Sequence, residues 1–230
     1  MPERLRVEVS PQESTTAIVY PAAAKHRAGV ALILGHGAGQ TSDFMKSFAV
    51  GLATRGIDVL TFNFLYREQG RRIPDPNDRL EACWRTVIDA VRTRITSDGD
   101  ALAIGGKSMG GRIASQVAAA GISGLAGLVF LGYPLHPPGR PDRLRSKHLS
   151  AIRAPMLFVQ GSRDPFGTPE ELRPITSSLQ PAADLYVVEG GDHSFKVRKG
   201  TGFGQEDVYR MIQDHIAAWL REMAAVMKAR

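Results

Sequence analysis

The sequence predicts an α/β fold: a mostly parallel, doubly wound sheet flanked by helices, with residues 1–230 as one domain. Three observations carry this. Short apolar runs alternate with longer helical patterns along the whole chain. The middle runs are unbroken, without polar alternation, as in strands buried on both faces of a parallel sheet. Strand and helix in alternation imply right-handed crossovers and one sheet, and 230 residues suffice for one substantial core.

The expected strands, in order, are Leu5–Val9, Ala17–Tyr20, Val30–Leu34, Val59–Phe62, Ala101–Ile104, Gly127–Leu131, Met156–Val159 and Leu185–Val188. Between them lie helices with start and stop signals. Ser42 or Asp43 caps a helix that puts Phe44, Phe48 and Leu52 on one face and ends at Gly56. Leu80, Trp84, Val87, Val91 and Ile95 form an amphipathic stripe that stops before Asp98-Gly99. A small-residue helix follows from Arg112 to Ala120. Thr168-Pro169-Glu170-Glu171 reads as a capping box with proline at the first helical position. The last helix, from about Gln205 to Val226, buries Val208, Ile212, Ile216, Trp219 and Met223. Trp84 and Trp219 therefore read as core. Pro134–Ala154 is the one sizeable insertion and is too short for a large helical lid.

Composition excludes several functions. No apolar stretch is long enough to span a membrane, and Met1-Pro2-Glu3-Arg4-Leu5-Arg6 has no signal-peptide core. The single cysteine, Cys83, excludes an internal disulfide and a thiolate metal cluster; it falls inside an expected helix and reads as buried and inert. The chain reads as cytoplasmic. A net charge of +6 invites nucleic acid, but the basic residues are dispersed and form no stripe with interleaved aromatics, so no nucleic-acid partner is expected. The six histidines show no metal-binding spacing, and Gly35 to Gly39 lacks the features of a P-loop or dinucleotide fingerprint. No cofactor and no metal are expected. The state is monomer or homodimer, the edge near Leu5–Val9 offering a pairing surface.

Gly106-Lys107-Ser108-Met109-Gly110 is a G-x-S-x-G pentapeptide, preceded by an apolar strand and followed by a helix. That setting marks a nucleophile elbow, in which serine sits on a sharp turn with its hydroxyl exposed. A plain strand-to-helix turn with a serine cap is the bland reading. Sites in parallel sheets form at the carboxyl ends of strands. Three other strands run into Gly35-His36-Gly37-Ala38-Gly39, into Gln160-Gly161-Ser162-Arg163-Asp164-Pro165, and into Glu189-Gly190-Gly191-Asp192-His193-Ser194-Phe195. Hydroxyl, carboxylate and imidazole thus share one edge, in the order Ser108, Asp164, His193.

The order, the elbow and the loop contexts resemble the α/β-hydrolase superfamily, from about Ala17 to the last helix. More narrowly, the chain resembles small, nearly lidless serine hydrolases related to dienelactone hydrolase. Gly105 to Arg112, Gly132 to Gly139 and Gly191 to Phe195 look like a branch of predicted bacterial hydrolases. Its eukaryotic relatives include a testis-expressed protein and a subunit of a chromatin-acetylating complex. The nucleophile of dienelactone hydrolases is cysteine, so lactone hydrolysis does not carry over to Ser108.

The resemblance implies an α/β-hydrolase fold with minimal lid and a serine esterase or acyl hydrolase that works through an acyl-enzyme on small soluble esters. Ser108 would be the nucleophile, His193 the base, and Asp164 the group that orients the imidazole. Asp164 could instead be a turn residue, with Asp142 as the fallback acid; Asp192 reads as a turn carboxylate, and His36 as a brace of its own loop. The oxyanion would meet the N–H of Met109 and, in a His-Gly-x element, that of Ala38. Two basic loops flank the expected site: Arg67, Arg71 and Arg72 in one, and His136, Arg140, Arg143, Arg145, Lys147 and His148 in the other. They read either as solvated surface or as contacts for an anionic substrate through Arg67, His136 and Arg140. Lys107 either points into the site or packs beside the elbow. A non-catalytic scaffold, and a thioesterase or acyltransferase with the same three residues, stand as alternatives.

Overall fold

A computed structural model describes residues 2–23, 25, 27–97, 99–198 and 202–229. Met1 and Asp98, named above in the terminal and helix-stop expectations, lie outside the described residues. The described residues form one sheet of eight strands in the order β1-β2-β4-β3-β5-β6-β7-β8. The strands are β1 (Glu3–Ser10), β2 (Glu13–Tyr20), β3 (Val30–His36), β4 (Asp58–Phe62), β5 (Ala101–Lys107), β6 (Leu125–Leu131), β7 (Met156–Gly161) and β8 (Asp184–Val188). β1 and β2 form an antiparallel hairpin, and β2 lies antiparallel to β4. From β4 through β3, β5, β6 and β7 to β8 every pairing is parallel.

All eight expected strands are present, and several run further than their apolar runs. β5 continues through Gly105, Gly106 and Lys107, and β7 through Gln160 and Gly161. These polar or side-chain-free extensions carry no hydrophobic signal. They also bring each strand to the loop that bears a candidate functional residue.

The helices are α1 (Asp43–Thr54), α2 (Leu65–Glu68), α3 (Asn77–Arg94), α4 (Met109–Ala119), α5 (Pro169–Ser178) and α6 (Gln205–Lys228). Ser42, not Asp43, caps α1, its hydroxyl accepting from Met45 N. Thr168 and Glu171 form the capping box of α5. The one-turn α2 has no expectation behind it, because four residues are too few to show a period. α4 starts at Met109, three residues before the expected Arg112; the glycines at 110 and 111 conceal its first turn from propensity.

Two cores lie on opposite faces of the sheet. One packs Trp84, Val87 and Val91 of α3 and Ile113 and Val117 of α4 against Ile33, Ile104, Phe130 and Phe158. The other packs Phe48 and Leu52 of α1 and Ile212, Ile216 and Leu220 of α6 against Leu32, Leu34, Val59 and Val129. Neighbours such as Leu32 and Ile33 enter different cores, because successive strand side chains point to opposite faces. Trp84 is fully buried; Trp219 is nearly so and donates to Asp184 Oδ2 at 2.6 Å. Cys83 is buried, and burial pushes its thiol up to about 12. Among the described residues no helix is long and apolar enough to cross a membrane.

Candidate active site

The site forms at the carboxyl edge of the parallel strands. Ser108 joins β5 to α4 with φ 53° and ψ −122°, a conformation that costs a non-glycine residue about 1–3 kcal/mol. The surrounding packing holds it there. A Cβ at Gly106, itself at φ 149°, would lie 2.1 Å from the Gly35 carbonyl oxygen, and one at Gly110 would lie 2.0 Å from the same atom. The two glycines of the pentapeptide are thus needed for close approach to β3. Ser108 N donates to Leu131 O at 3.1 Å, which ties the elbow to β6 on its other side.

His193 Nε2 lies 2.9 Å from Ser108 Oγ, and His193 Nδ1 lies 2.7 Å from Asp164 Oδ2. Asp164 is buried. Its Oδ1 accepts from Phe166 N at 2.8 Å and its Oδ2 from Gln160 Nε2 at 2.9 Å. A carboxylate so bonded supports an Nδ1–H tautomer, which leaves Nε2 as an acceptor toward the serine. The Phe166 ring covers the imidazole at a centroid distance of 4.3 Å.

Gln160 is fully buried, and sequence reasoning missed it. Its amide nitrogen donates to Asp164 and to Gly167 O at 2.7 Å, and its oxygen accepts from Tyr133 N at 2.8 Å. It locks the acid loop to the end of β6. The available signal was a glutamine directly after the apolar run of β7.

Asp192 faces its own turn, its Oδ1 accepting from Ser194 N at 2.7 Å and Lys196 N at 2.9 Å. Buried Phe195 anchors the same turn at φ 61°. Asp142 pairs with Arg140 on an exposed turn.

Among the described residues neither Met109 N nor Ala38 N has an acceptor. Met109 opens α4, whose N-terminus favours negative charge, and its side chain lies beside Gly37. The loop of Ala38 is tied down from α2 and its approach: the Tyr66 hydroxyl donates to Gly37 O, and Gln40 N donates to Asn63 Oδ1 at 2.9 Å. The arrangement can therefore polarise a hydroxyl and offer two N–H groups to a developing anion.

A profile of the alpha/beta hydrolase domain matches residues 28–221. The chain belongs to that family. Solved α/β hydrolases share its fold. A serine hydrolase without lid from Xanthomonas campestris superposes with a TM-score of 0.71 at 19% identity, over 97% of this chain and 94% of that one. A dienelactone hydrolase from Anabaena variabilis gives 0.71 at 18% identity, over 95% and 96%. The esterase domain of a Rhodothermus marinus protein gives 0.72 at 14%, over 96% and 99%.

Within this α/β hydrolase, the remaining candidates fall in different places. Lys107 is buried, and its Nζ donates to His193 O at 2.6 Å and lies 5.7 Å from the Phe44 ring centre. Burial lowers its pKa to about 8, against the opposing pull of Asp164 and Asp192. It thus clamps the backbone of the histidine loop. His136 is buried, with Nδ1 on Pro137 O at 2.9 Å and Nε2 3.2 Å from Glu171 Oε1 without hydrogen-bond alignment. Arg67 lies beside Gly39, and its guanidinium reaches Arg71 O at 3.4 Å. Arg71 pairs with buried Asp75. Of the four residues expected to contact substrate, Lys107, Arg67, His136 and Arg140, Lys107 is buried with its ammonium on His193 O, and two lie next to carboxylates of the chain itself, His136 beside Glu171 and Arg140 beside Asp142.

His36 braces its loop, with Nδ1 3.2 Å from Ser42 Oγ and its carbonyl accepting from Gly39 N at 3.2 Å. Burial, and secondarily Lys107, lowers its pKa from 6.5 to about 4. The unfolded chain therefore takes up this proton first as pH falls. Stability present above pH 6.5 is lost progressively toward pH 4, by at most about 3 kcal/mol. Urea unfolding of wild type and His36→Asn across that window checks this. The expected result is a shallower pH slope in the variant; parallel slopes would assign the acid sensitivity to other groups.

Proposed function

We propose that the protein is a single-domain serine hydrolase, acting as an esterase or acyl hydrolase on small soluble esters without a cofactor. The observation that carries this reading is the unbroken hydrogen-bonded series from Asp164 through His193 to Ser108 on a strained elbow. His193 takes the Ser108 proton as Oγ attacks the acyl carbon, and later returns it to the leaving group. Asp164 holds the tautomer and stabilises the imidazolium. Met109 N and Ala38 N receive the oxyanion; one such donor is worth about 3–4 kcal/mol of transition-state stabilisation. Water activated at His193 then releases the acyl group. The segment between β6 and β7 holds only a 3-10 turn at Leu149–Ala151, which suits an open pocket and short or extended substrates. The reading places the chain in the cytoplasm. It also keeps the branch with testis-expressed and chromatin-complex relatives, which rests on the three segments quoted above.

Labelling with a fluorophosphonate probe tests this directly. Wild type should label, and Ser108→Ala and His193→Ala should not. A folded wild type that stays unlabelled would refute an activated Ser108 and favour a non-catalytic scaffold. A panel of oxygen esters and thioesters, with and without an alcohol acceptor, then separates esterase from thioesterase or acyltransferase.

A further inference from the structure

β3 and β5 end in register, His36 beside Lys107, so Gly37-Ala38 and Ser108-Met109 leave the sheet side by side. The first of these strands turns at once. Gly39 N donates to His36 O at 3.2 Å, with Gly37 and Ala38 as the two central residues of the turn. The closing bond uses the outer groups and leaves the central peptide, Gly37 C=O and Ala38 N–H, outside it. That peptide is trans, so its two polar groups point in opposite directions. Whatever holds Gly37 O therefore sets the aim of the Ala38 N–H. The commonest two turn types differ in the direction of this peptide; the flipped one needs positive φ at the second central residue, and Ala38 does not have it.

Tyr66 is the group that holds it. A hydroxyl facing a carbonyl can only donate, and this one donates to Gly37 O. The side chain is buried, and burial raises the phenol's pKa against the pull of Arg67, so the proton stays in place. Tyr66 is itself fixed. Its N–H donates to buried Asp75 Oδ2 at 3.1 Å, its carbonyl accepts from Arg71 N at 2.8 Å, and Arg71 pairs with Asp75. Its ring lies 6.2 Å from that of Phe64 and nearly parallel to it. The short α2 is thus a socket for one side chain. The far side of the turn has its own support. Gln40 N donates to Asn63 Oδ1 at 2.9 Å, and Asn63 Nδ2 donates to Glu68 Oε1 at 2.8 Å. Glu68 Oε1 in turn accepts from Thr16 N of β2 at 3.0 Å. A backbone N–H on one side and a carboxylate on the other leave the Asn63 amide a single orientation.

We propose that Tyr66, with Asn63 as its counterpart across the turn, is the positioning residue for the second oxyanion donor: by holding Gly37 O it aims the Ala38 N–H at the developing anion. The bond also strengthens that N–H, because a donor on a peptide carbonyl polarises the whole peptide. The inference rests on the hydrolase reading for the existence of an oxyanion. Neither side chain needs to touch substrate; both act through the peptide between them, and so on the transition state more than on substrate binding.

Kinetics on p-nitrophenyl butyrate, together with inhibition by an alkyl trifluoromethyl ketone, test this. Ser108 Oγ adds to the ketone carbon as its proton passes to His193, and the former carbonyl oxygen becomes a stable oxyanion. Tyr66→Phe keeps the ring and loses only the hydroxyl. Its kcat should fall about tenfold or more with KM unchanged, and its affinity for the ketone should fall by the same factor. Asn63→Ala should give the same pattern from the other side, and it carries the test alone if Tyr66→Phe does not fold. The double variant should lose no more than the about 10²–10³-fold that one donor is worth. Val87→Ala, in the core under α3, is destabilised without touching the turn and should keep both kcat and ketone affinity. Wild-type kcat and ketone affinity in folded Tyr66→Phe and Asn63→Ala would overturn the positioning role. So would a loss confined to KM, or an equal loss in Val87→Ala. In each of those cases the wild type still turns over and the hydrolase reading stands. A wild type that neither turns over nor binds the ketone would sink the hydrolase reading and the positioning role with it.

Discussion

Replacing Ser108 by alanine should lower kcat on an aryl ester by about 10⁴–10⁶-fold, with His193→Ala close behind and the double variant no worse than either. The non-additivity is the informative part, because residues that act as one unit lose everything with the first deletion. Asp164→Asn should cost about 10⁴-fold, because an amide in place of the carboxylate favours the wrong imidazole tautomer. The environment of Asp164 makes this variant a fair test. Gln160 Nε2 and Phe166 N both donate to the carboxylate, so the amide must turn one N–H toward a donor or toward His193. Thermal unfolding run alongside separates chemistry from folding. Independent, additive losses at Ser108 and His193 would show that the two do not work together, whatever their 2.9 Å separation.

Lys107→Met should reduce kcat at pH 7 by about 10–100-fold with little change in KM, since a displacement of about 1 Å at the reacting groups costs on this order. The ammonium holds His193 O, and methionine fills the same volume without a donor. Stability should move the other way on the alkaline side. Folding lowers the Lys107 pKa from 10.5 to about 8, so between those values the unfolded chain holds the proton that the folded chain has lost. Wild-type stability relative to the variant then rises from pH 8 toward 10.5, by at most about 3 kcal/mol. Chemical denaturation at stepped pH reads it. An unchanged kcat would mean that the Asp192 turn holds the histidine unaided.

Much of this was legible in the sequence, for reasons that differ by element. The strands of the parallel core announce themselves because burial on both faces forbids polar residues, as in Val30–Leu34 and Met156–Val159. Ser108, Asp164 and His193 were legible as a set because each follows such a strand, and a parallel sheet delivers its strand ends to one edge. The supporting groups were not. Gln160 and Lys107 are polar residues inside strands, where their partners come from 27 and 86 residues away.

Gly35 is the common bearing surface of the site. Its carbonyl is pressed by the elbow glycines, and the ring of Trp84 stands 2.8 Å from where its own Cβ would be. β3 runs one residue further, through His36, directly into the loop of Ala38. Ser108, Met109 N and Ala38 N are therefore all seated against this one stretch of β3. Any shift of β3 carries all three together, so their mutual spacing is insulated from breathing of the sheet. Tuning for a new substrate then has to come from the rim, where the loops can be rewritten without resetting that alignment.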